Sequence, residues 1–420
     1  MFRRFIGLCL LVPAEKVREL GPYVLKDGTP VLEASVKIVG DRLNAVEREA
    51  VHPAEMRCRI GLHVEKGHPL GQASKALLES SRLDVFRALG LRGTPAPGEL
   101  LFTASGTEAD NLAILGSARA KERRRGGRIL STDSEHPALE NALEALEKEG
   151  YDVVRIPTKG GTLDFDAFEA ALTDKVFLVT MMLVNNETGA IYDVEKAFRM
   201  AKAKNNDIVT HTDAVQAFLK LPFSPSSLHA DLVSISSHKI GGPKGVGALY
   251  VSADARRRRD LVPILQGGGQ EAGFRSGTEN LIGISGFAAA ARAGKEALAE
   301  RASYCKELSD LLKDKLASLE VSLNLPPVVL PQILNLTLPN IRSETMLHEL
   351  SKSGICISQG SACSSHDKHL SRALLSFGLS PDKVECSLRI SLSHENTKEE
   401  IDLFVVALEQ ALKTLVRVKR

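Results

Sequence analysis

Val176 to Val184 is a continuous apolar run of strand length, and a run of this kind is a strand buried on both faces. Ile208 to Thr212 and Leu232 to Ser236 are shorter runs, each ending in polar residues. Helical patterns alternate with them: Asn111 to Ala120 is rich in Ala and Leu, and Pro137 to Lys148 sets Ala138, Ala142 and Leu146 at helical spacing. Buried strands separated by helices specify an α/β fold with a mostly parallel sheet and crossover helices. In such sheets ligands bind beyond the carboxyl ends of the strands. The polar clusters follow the apolar runs, so the spacing puts them on that edge.

Three regions are expected. Residues 66–283 read as a large α/β domain and residues 284–420 as a smaller α+β domain. In the latter, 288–319 reads as one long helix, with strand candidates at Ile333 to Leu338, Ile355 to Ser358 and Leu388 to Leu392. Residues 1–65 match neither pattern, and 25–65 are expected to be partly mobile. Met1-Phe2-Arg3-Arg4 ahead of Phe5 to Val12 suits either a targeting segment or a first buried strand.

Lys+Arg 54 against Asp+Glu 52 leaves a formal charge of +2, too little to suggest a nucleic-acid protein. No apolar run approaches the roughly 20 residues of a membrane span. The cysteines are Cys9, Cys58, Cys305, Cys356, Cys363 and Cys386, with no CxxC pair. That argues against zinc ligation and a disulfide framework, and for a reducing compartment, cytoplasmic or mitochondrial. No metal is expected.

The strongest local signal is Ser236-Ser237-His238-Lys239 followed by Ile240-Gly241-Gly242-Pro243. A lysine at a strand end, before a Gly/Pro-rich turn, is placed to meet a ligand, and a desolvated amine forms a Schiff base with an aldehyde cofactor. Asp213, closing the preceding strand, suits either a partner for a protonated ring nitrogen or a helix N-cap. Gln216 lies three residues on. Ser105-Gly106-Thr107-Glu108 opens a helix, where backbone N–H groups suit either a phosphate or a capping box.

Taken together with Glu135-His136, Asn185-Asn186-Glu187-Thr188-Gly189, Gly267-Gly268-Gly269-Gln270-Glu271, Arg275-Ser276-Gly277-Thr278-Glu279-Asn280 and Gly360-Ser361-Ala362-Cys363-Ser364-Ser365, these motifs resemble the cysteine desulfurase and selenocysteine lyase family. Its members are fold-type-I pyridoxal-phosphate enzymes of the class V aminotransferase group. The resemblance implies pyridoxal 5'-phosphate linked to Lys239, with Asp213 on the ring nitrogen, Gln216 and Asn186 at the ring hydroxyl and His136 stacked on the ring. It assigns the phosphate to Gly106, Thr107, Ser236 and His238, with Thr278 reaching the partner's cofactor in a homodimer. Arg389 would clamp the substrate carboxylate, aided by Asn186, and Cys363 would take the sulfur.

The implied reaction converts L-cysteine to L-alanine and leaves a persulfide on Cys363 for a sulfur-acceptor protein, as in iron–sulfur cluster or thio-cofactor supply. L-selenocysteine is the alternative substrate, and a non-catalytic subunit of this fold the alternative role. Cys305, Cys356 and Cys386 are expected to be buried, inert thiols. The chain departs from the family at its start, where Ile6 to Pro13 stands in place of a polar active-site motif, and at Ser393 to Thr397.

Overall fold

The computed structural model describes residues 69–359 and 370–417. Among these, the large sheet has seven strands: β1 (Leu100–Thr103), β2 (Arg128–Thr132), β3 (Asp152–Ile156), β4 (Val176–Met182), β5 (Val209–Asp213), β6 (Leu232–Ser236) and β7 (Gly247–Val251). Their order is β1-β7-β6-β5-β4-β2-β3. Neighbours from β3 to β6 pair in parallel, and β7 runs antiparallel to both β6 and β1. β1 therefore points the same way as the parallel set, and six of the seven strands end on one edge.

Helices cover both faces. The helices preceding and serving this sheet are α1 (Pro69–Ala88), α2 (Gly106–Arg119), α3 (Pro137–Lys148), α4 (Phe165–Ala171), α5 (Val194–Lys204), α6 (Ala253–Arg258) and α7 (Leu281–Glu296). On one face Leu101, Ile129, Leu178 and Leu249 pack with Leu112 of α2, Leu139 and Leu143 of α3 and Ala255 of α6. On the other, Phe102, Leu130, Val179 and Ile235 pack with Val85 of α1, Phe198 of α5 and Phe287 of α7. Burying each such large side chain contributes roughly 1.5–3 kcal/mol. The strands are buried on both faces, which is why their sequences read as apolar runs without alternation.

The C-terminal part has a small antiparallel sheet in the order β10-β9-β8, from β8 (Ser322–Leu323), β9 (Ile333–Thr337) and β10 (Ser387–Ser391). It comes with α8 (Leu298–Leu316), α9 (Ser343–Lys352), α10 (Arg372–Phe377), α11 (Pro381–Glu385) and α12 (Lys398–Thr414). Leu334, Leu336, Leu388 and Ile390 pack against Leu308 and Leu312 of α8 and Phe404 and Leu408 of α12.

Two expected elements differ. The single helix over 288–319 is two helices, α7 and α8, joined at Ala297 (φ −95°, ψ 7°). The cause is a change of core: Ile284, Phe287, Ala288 and Ala291 pack beneath the large sheet, whereas Leu308, Leu312 and Leu316 pack on the small one. Ile355 to Ser358 forms no strand; Ser358 alone pairs with Arg389 as an isolated antiparallel bridge. No described helix is long and apolar enough to cross a membrane.

Gly247, at the start of β7, sits against backbone on the carboxyl edge. A Cβ there would lie 2.5 Å from the carbonyl carbon of Ser105 and 2.8 Å from the Gly106 nitrogen. Those are backbone atoms and cannot rotate away. Gly247→Ala is therefore expected to destabilise the fold by roughly 1–3 kcal/mol, the usual effect of overpacking. A urea midpoint equal to that of the parent would refute the contact.

Candidate active site

β1, β2, β4, β5 and β6 each deliver polar groups to the shared edge. β5 ends on buried Asp213, whose Oδ1 accepts the Val215 N–H at 2.8 Å. That bond curls the chain into turns over 214–220, so Asp213 caps no α-helix. β6 ends on Ser236, where a 3-10 turn, Ser237–Ile240, carries the half-buried Lys239. Gly241, at φ +84°, closes that turn in a conformation glycine adopts without strain. Ser236 Oγ and His238 Nδ1 are 2.9 Å apart.

After β2 comes Glu135, then His136 as the N-cap of α3. His136 Nδ1 accepts the Ala138 N–H at 3.1 Å, so the neutral ring carries its proton on Nε2. After β4 the turn 185–189 is held by Asn185. Its Oδ1 accepts the N–H groups of Glu187 and Thr188, both at 2.9 Å, and its Nδ2 donates to the Ser134 carbonyl at 3.0 Å. The carbonyl of buried Asn186 accepts from Arg389 Nη1 at 2.8 Å, which brings β10 of the small sheet to this edge.

After β1, Ser105 caps α2, its Oγ accepting the Glu108 N–H at 3.1 Å. A Cβ on the buried Gly106 would lie 2.8 Å from Val215 Cγ2 and 3.3 Å from Ser236 Cβ. The α2 N-terminus, the turn after Asp213 and the end of β6 thus meet at one point, with Thr107 exposed beside it.

Thr278 is exposed, in the loop 267–280. That loop is strapped down: Arg275 Nε donates to Glu108 Oε1 at 2.7 Å, and Arg82 donates to both oxygens of Glu271 at 2.7 and 2.9 Å. Cys363, its flanking residues 360–365, and the N-terminal segment 1–65 lie outside the described residues. Cys305 and Cys386 are buried, and burial raises both thiols above their ordinary range. Cys356, expected to be buried, is only partly so, because it faces outward between the buried Ile355 and Ile357.

The aminotransferase class-V family matches residues 58–404. A cysteine desulfurase from Trichormus azollae is 37% identical over 350 residues, covering 82% of this chain and 84% of its own. A cysteine desulfurase IscS from Serratia proteamaculans is 34% identical over 360 residues, covering 85% and 86%. The chain belongs to the cysteine desulfurase family. The solved structure of a NifS-like protein superposes with a TM-score of 0.79 at 33% identity, covering 86% of this chain and 94% of that one. The α/β architecture with its seven-stranded, mostly parallel sheet is accordingly the fold-type-I arrangement of this family.

For a desulfurase family member the electrostatics of the edge matter as much as its shape. Burial lowers His136 to about 4 and His238 to about 4, and the positive charge of Lys239 pushes both the same way. Burial raises Asp213 to about 6, opposed by the Val215 N–H and by Lys239. Glu135 rises to about 8 through burial, although the Thr132 hydroxyl and the Met182 N–H both donate to it.

The sequence reading gives no role to Lys220, Asp110, His211 or the pair formed by Ser371 Oγ and Glu187 Oε2 at 2.6 Å. Lys220 had one usable signal, its position four residues after Gln216. The others come together only through the fold.

The Glu135 shift has a pH signature. A carboxyl with a raised folded value stabilises the fold fully below its unfolded value of 4.5, and the contribution is lost as pH rises to about 8. Glu135→Gln should remove that slope: between these limits its denaturation midpoint should fall less with rising pH than the parent's. Parallel curves would show that Glu135 is not the titrating group.

Proposed function

We propose that this chain is a pyridoxal-phosphate-dependent cysteine desulfurase, which takes sulfur from L-cysteine, releases L-alanine and hands the sulfur to an acceptor protein. The observation that carries the reading is the convergence of Lys239, Asp213, His136 and His238 at one strand edge, where the charge of Lys239 acts on the other three.

The residues present suit that cofactor chemically. The cradle at the α2 N-terminus has a glycine where a Cβ would collide with Val215, and Thr107, Ser236 and His238 supply polar atoms around it. Backbone N–H groups and hydroxyls in this setting favour a phosphate. Asp213 is the carboxyl for the ring nitrogen, Gln216 and Asn186 serve the ring hydroxyl, and Lys239 provides the amine for the covalent link. When bound, the cofactor supplies an electron sink for the carbon that loses a proton.

The chain's own groups do the rest. Lys239 moves the Cα proton. Neutral His136, with its proton on Nε2, offers a flat face and a donor without competing for that proton. Arg389 is held on the Asn186 carbonyl, beside Glu187, and presents a guanidinium for the substrate carboxylate. The Cys363 thiolate attacks the substrate sulfur: one S–S bond forms, the substrate C–S bond breaks, and the carbon takes a proton to become alanine.

A selenocysteine substrate fits the same groups. Retention of Lys239, Asp213, His136, His238 and Arg389 favours turnover over a purely structural subunit.

The test is direct. Purified protein should be yellow, with a visible band that borohydride removes, and should form alanine and sulfide from L-cysteine with a reductant. Lys239→Ala should lose the band, while Cys363→Ser should keep it and release almost no sulfide. Protein that stays colourless in added pyridoxal phosphate would end the reading.

The exposed Thr278 supports a homodimer in which each subunit lends this hydroxyl to its partner's phosphate. One hydrogen bond to a charged group is worth about 1.5–3 kcal/mol, so Thr278→Val should weaken cofactor retention roughly tenfold or more. Equilibrium dialysis measures this, and light scattering on dilute protein checks the assembly. A fully active monomer would exclude the shared site.

A further inference from the structure

Lys220 is a cation that the chemistry above does not use. It lies at the end of the turns that follow β5, and its Nζ is 2.9 Å from Oε1 of Gln216. The charged and titratable groups acting on it come from three elements: Lys239 and His238 from the turn after β6, Arg389 from β10 and Cys305 from α8. Burial, then the charges of Lys239 and Arg389, lower Lys220 to about 7, with Cys305 acting the other way. A partly buried lysine in such cationic company, aimed at one amide, does more than solvate the surface.

Its chemistry fixes the amide. Lys220 Nζ donates to the Gln216 oxygen, and below about pH 7, as an ammonium with donors only, it holds the amide in that sense. The oxygen and nitrogen of an amide are told apart only through such partners. With Oε1 engaged, Nε2 is left to donate elsewhere, on a residue three places from Asp213.

We propose that Lys220 is a positioning residue: it locks the Gln216 amide so that Nε2 donates to the ring-hydroxyl oxygen of the bound cofactor. This rests on the site reading above. Without Lys220 the amide is free to reverse and set its own oxygen against that of the ring, two acceptors facing each other. The ring oxygen would then hold the proton of the adjacent Lys239 nitrogen more tightly, and that proton would come off at higher pH.

The experiment is a pH titration of the visible band of the Lys239-bound cofactor in purified protein. Lys220→Met should raise the midpoint by about one unit, the scale of one hydrogen bond to a charged group. Gln216→Ala should raise it similarly, and the double variant should move no further than either single one, because the two act as a unit. Lys220→Gln keeps a donor without the charge and should stay nearer the parent; it also serves if the methionine variant folds poorly. An unchanged midpoint in Lys220→Met would overturn the proposal. So would a shift of equal size with and without Gln216, which would mean a field effect alone. Failure of the underlying site reading looks different: the parent protein itself would show no band that borohydride removes.

Discussion

A sheet covered by helices on both faces leaves its strand ends as the main place for polar side chains. The faces of β4, β6 and β7 are filled mainly by apolar residues, β5 adds buried Thr210, His211 and Thr212, and the helices seal them from water. An uncompensated polar group on those faces is costly, so functional groups collect where the strands stop. Since six strands stop on one edge, Asp213, Ser236, Glu135, Asn185 and Ser105 all arrive there from different parts of the chain. Closing that edge takes glycines at contact points, Gly106 against Val215 and Gly247 against Ser105. Gly189 adds a third, where a Cβ would lie 2.9 Å from the Ile333 carbonyl oxygen and push the small sheet away.

An imidazole enters the layer among its buried Thr and Ser residues. His211 of β5 places Nδ1 2.7 Å from Thr180 Oγ1 and Nε2 2.9 Å from Ser234 Oγ. Hydroxyls donate or accept as needed, so a neutral imidazole is satisfied in either tautomer, and burial holds it neutral, at about 3. Asp110 Oδ1 stands 3.8 Å from His211 Nε2 and makes no hydrogen bond. Asp110, Glu135 and Asp213 therefore share a poorly solvated space in which they cannot all ionise cheaply. Burial and the neighbouring carboxylate push Asp110 well up, and burial holds Glu135 at about 8. Asp213, with the Lys239 charge and the Val215 N–H in its favour, is left as the carboxyl that ionises first.

Much of this was legible in the residues. Buried parallel strands announce themselves because they lack alternation, and β6 begins and ends where its apolar run does. Helix α3 was equally plain, with Pro137 at its first turn and a clean apolar stripe. The Lys239 and Asp213 clusters were visible because each follows such a run directly, whereas His136 was visible only through the family resemblance. The break at Ala297 was not, because both helices have good local propensity and only the identity of the core beneath them differs. The buried carboxyl cluster was hidden for a related reason: Asp110 looks like an ordinary polar residue of a helix until the sheet is placed under it. Cys363 was readable as a sequence motif, and its reading remains one of sequence.

Glu271 ties three remote pieces of chain together. Its carboxylate takes the Arg82 guanidinium from α1 and the Phe102 N–H from β1, at 2.7 Å, while Glu271 itself belongs to the loop that bears Thr278. Arg82 also lies over the Phe102 ring, 4.9 Å from its centroid. Removing one partner of such a buried pair costs about 3–5 kcal/mol, and here the loss falls on a loop rather than on a core. A genetic screen scored by enzyme output would sort Arg82 with the reactive residues, although it touches none of them. Inheritance of such a defect would track a clasp.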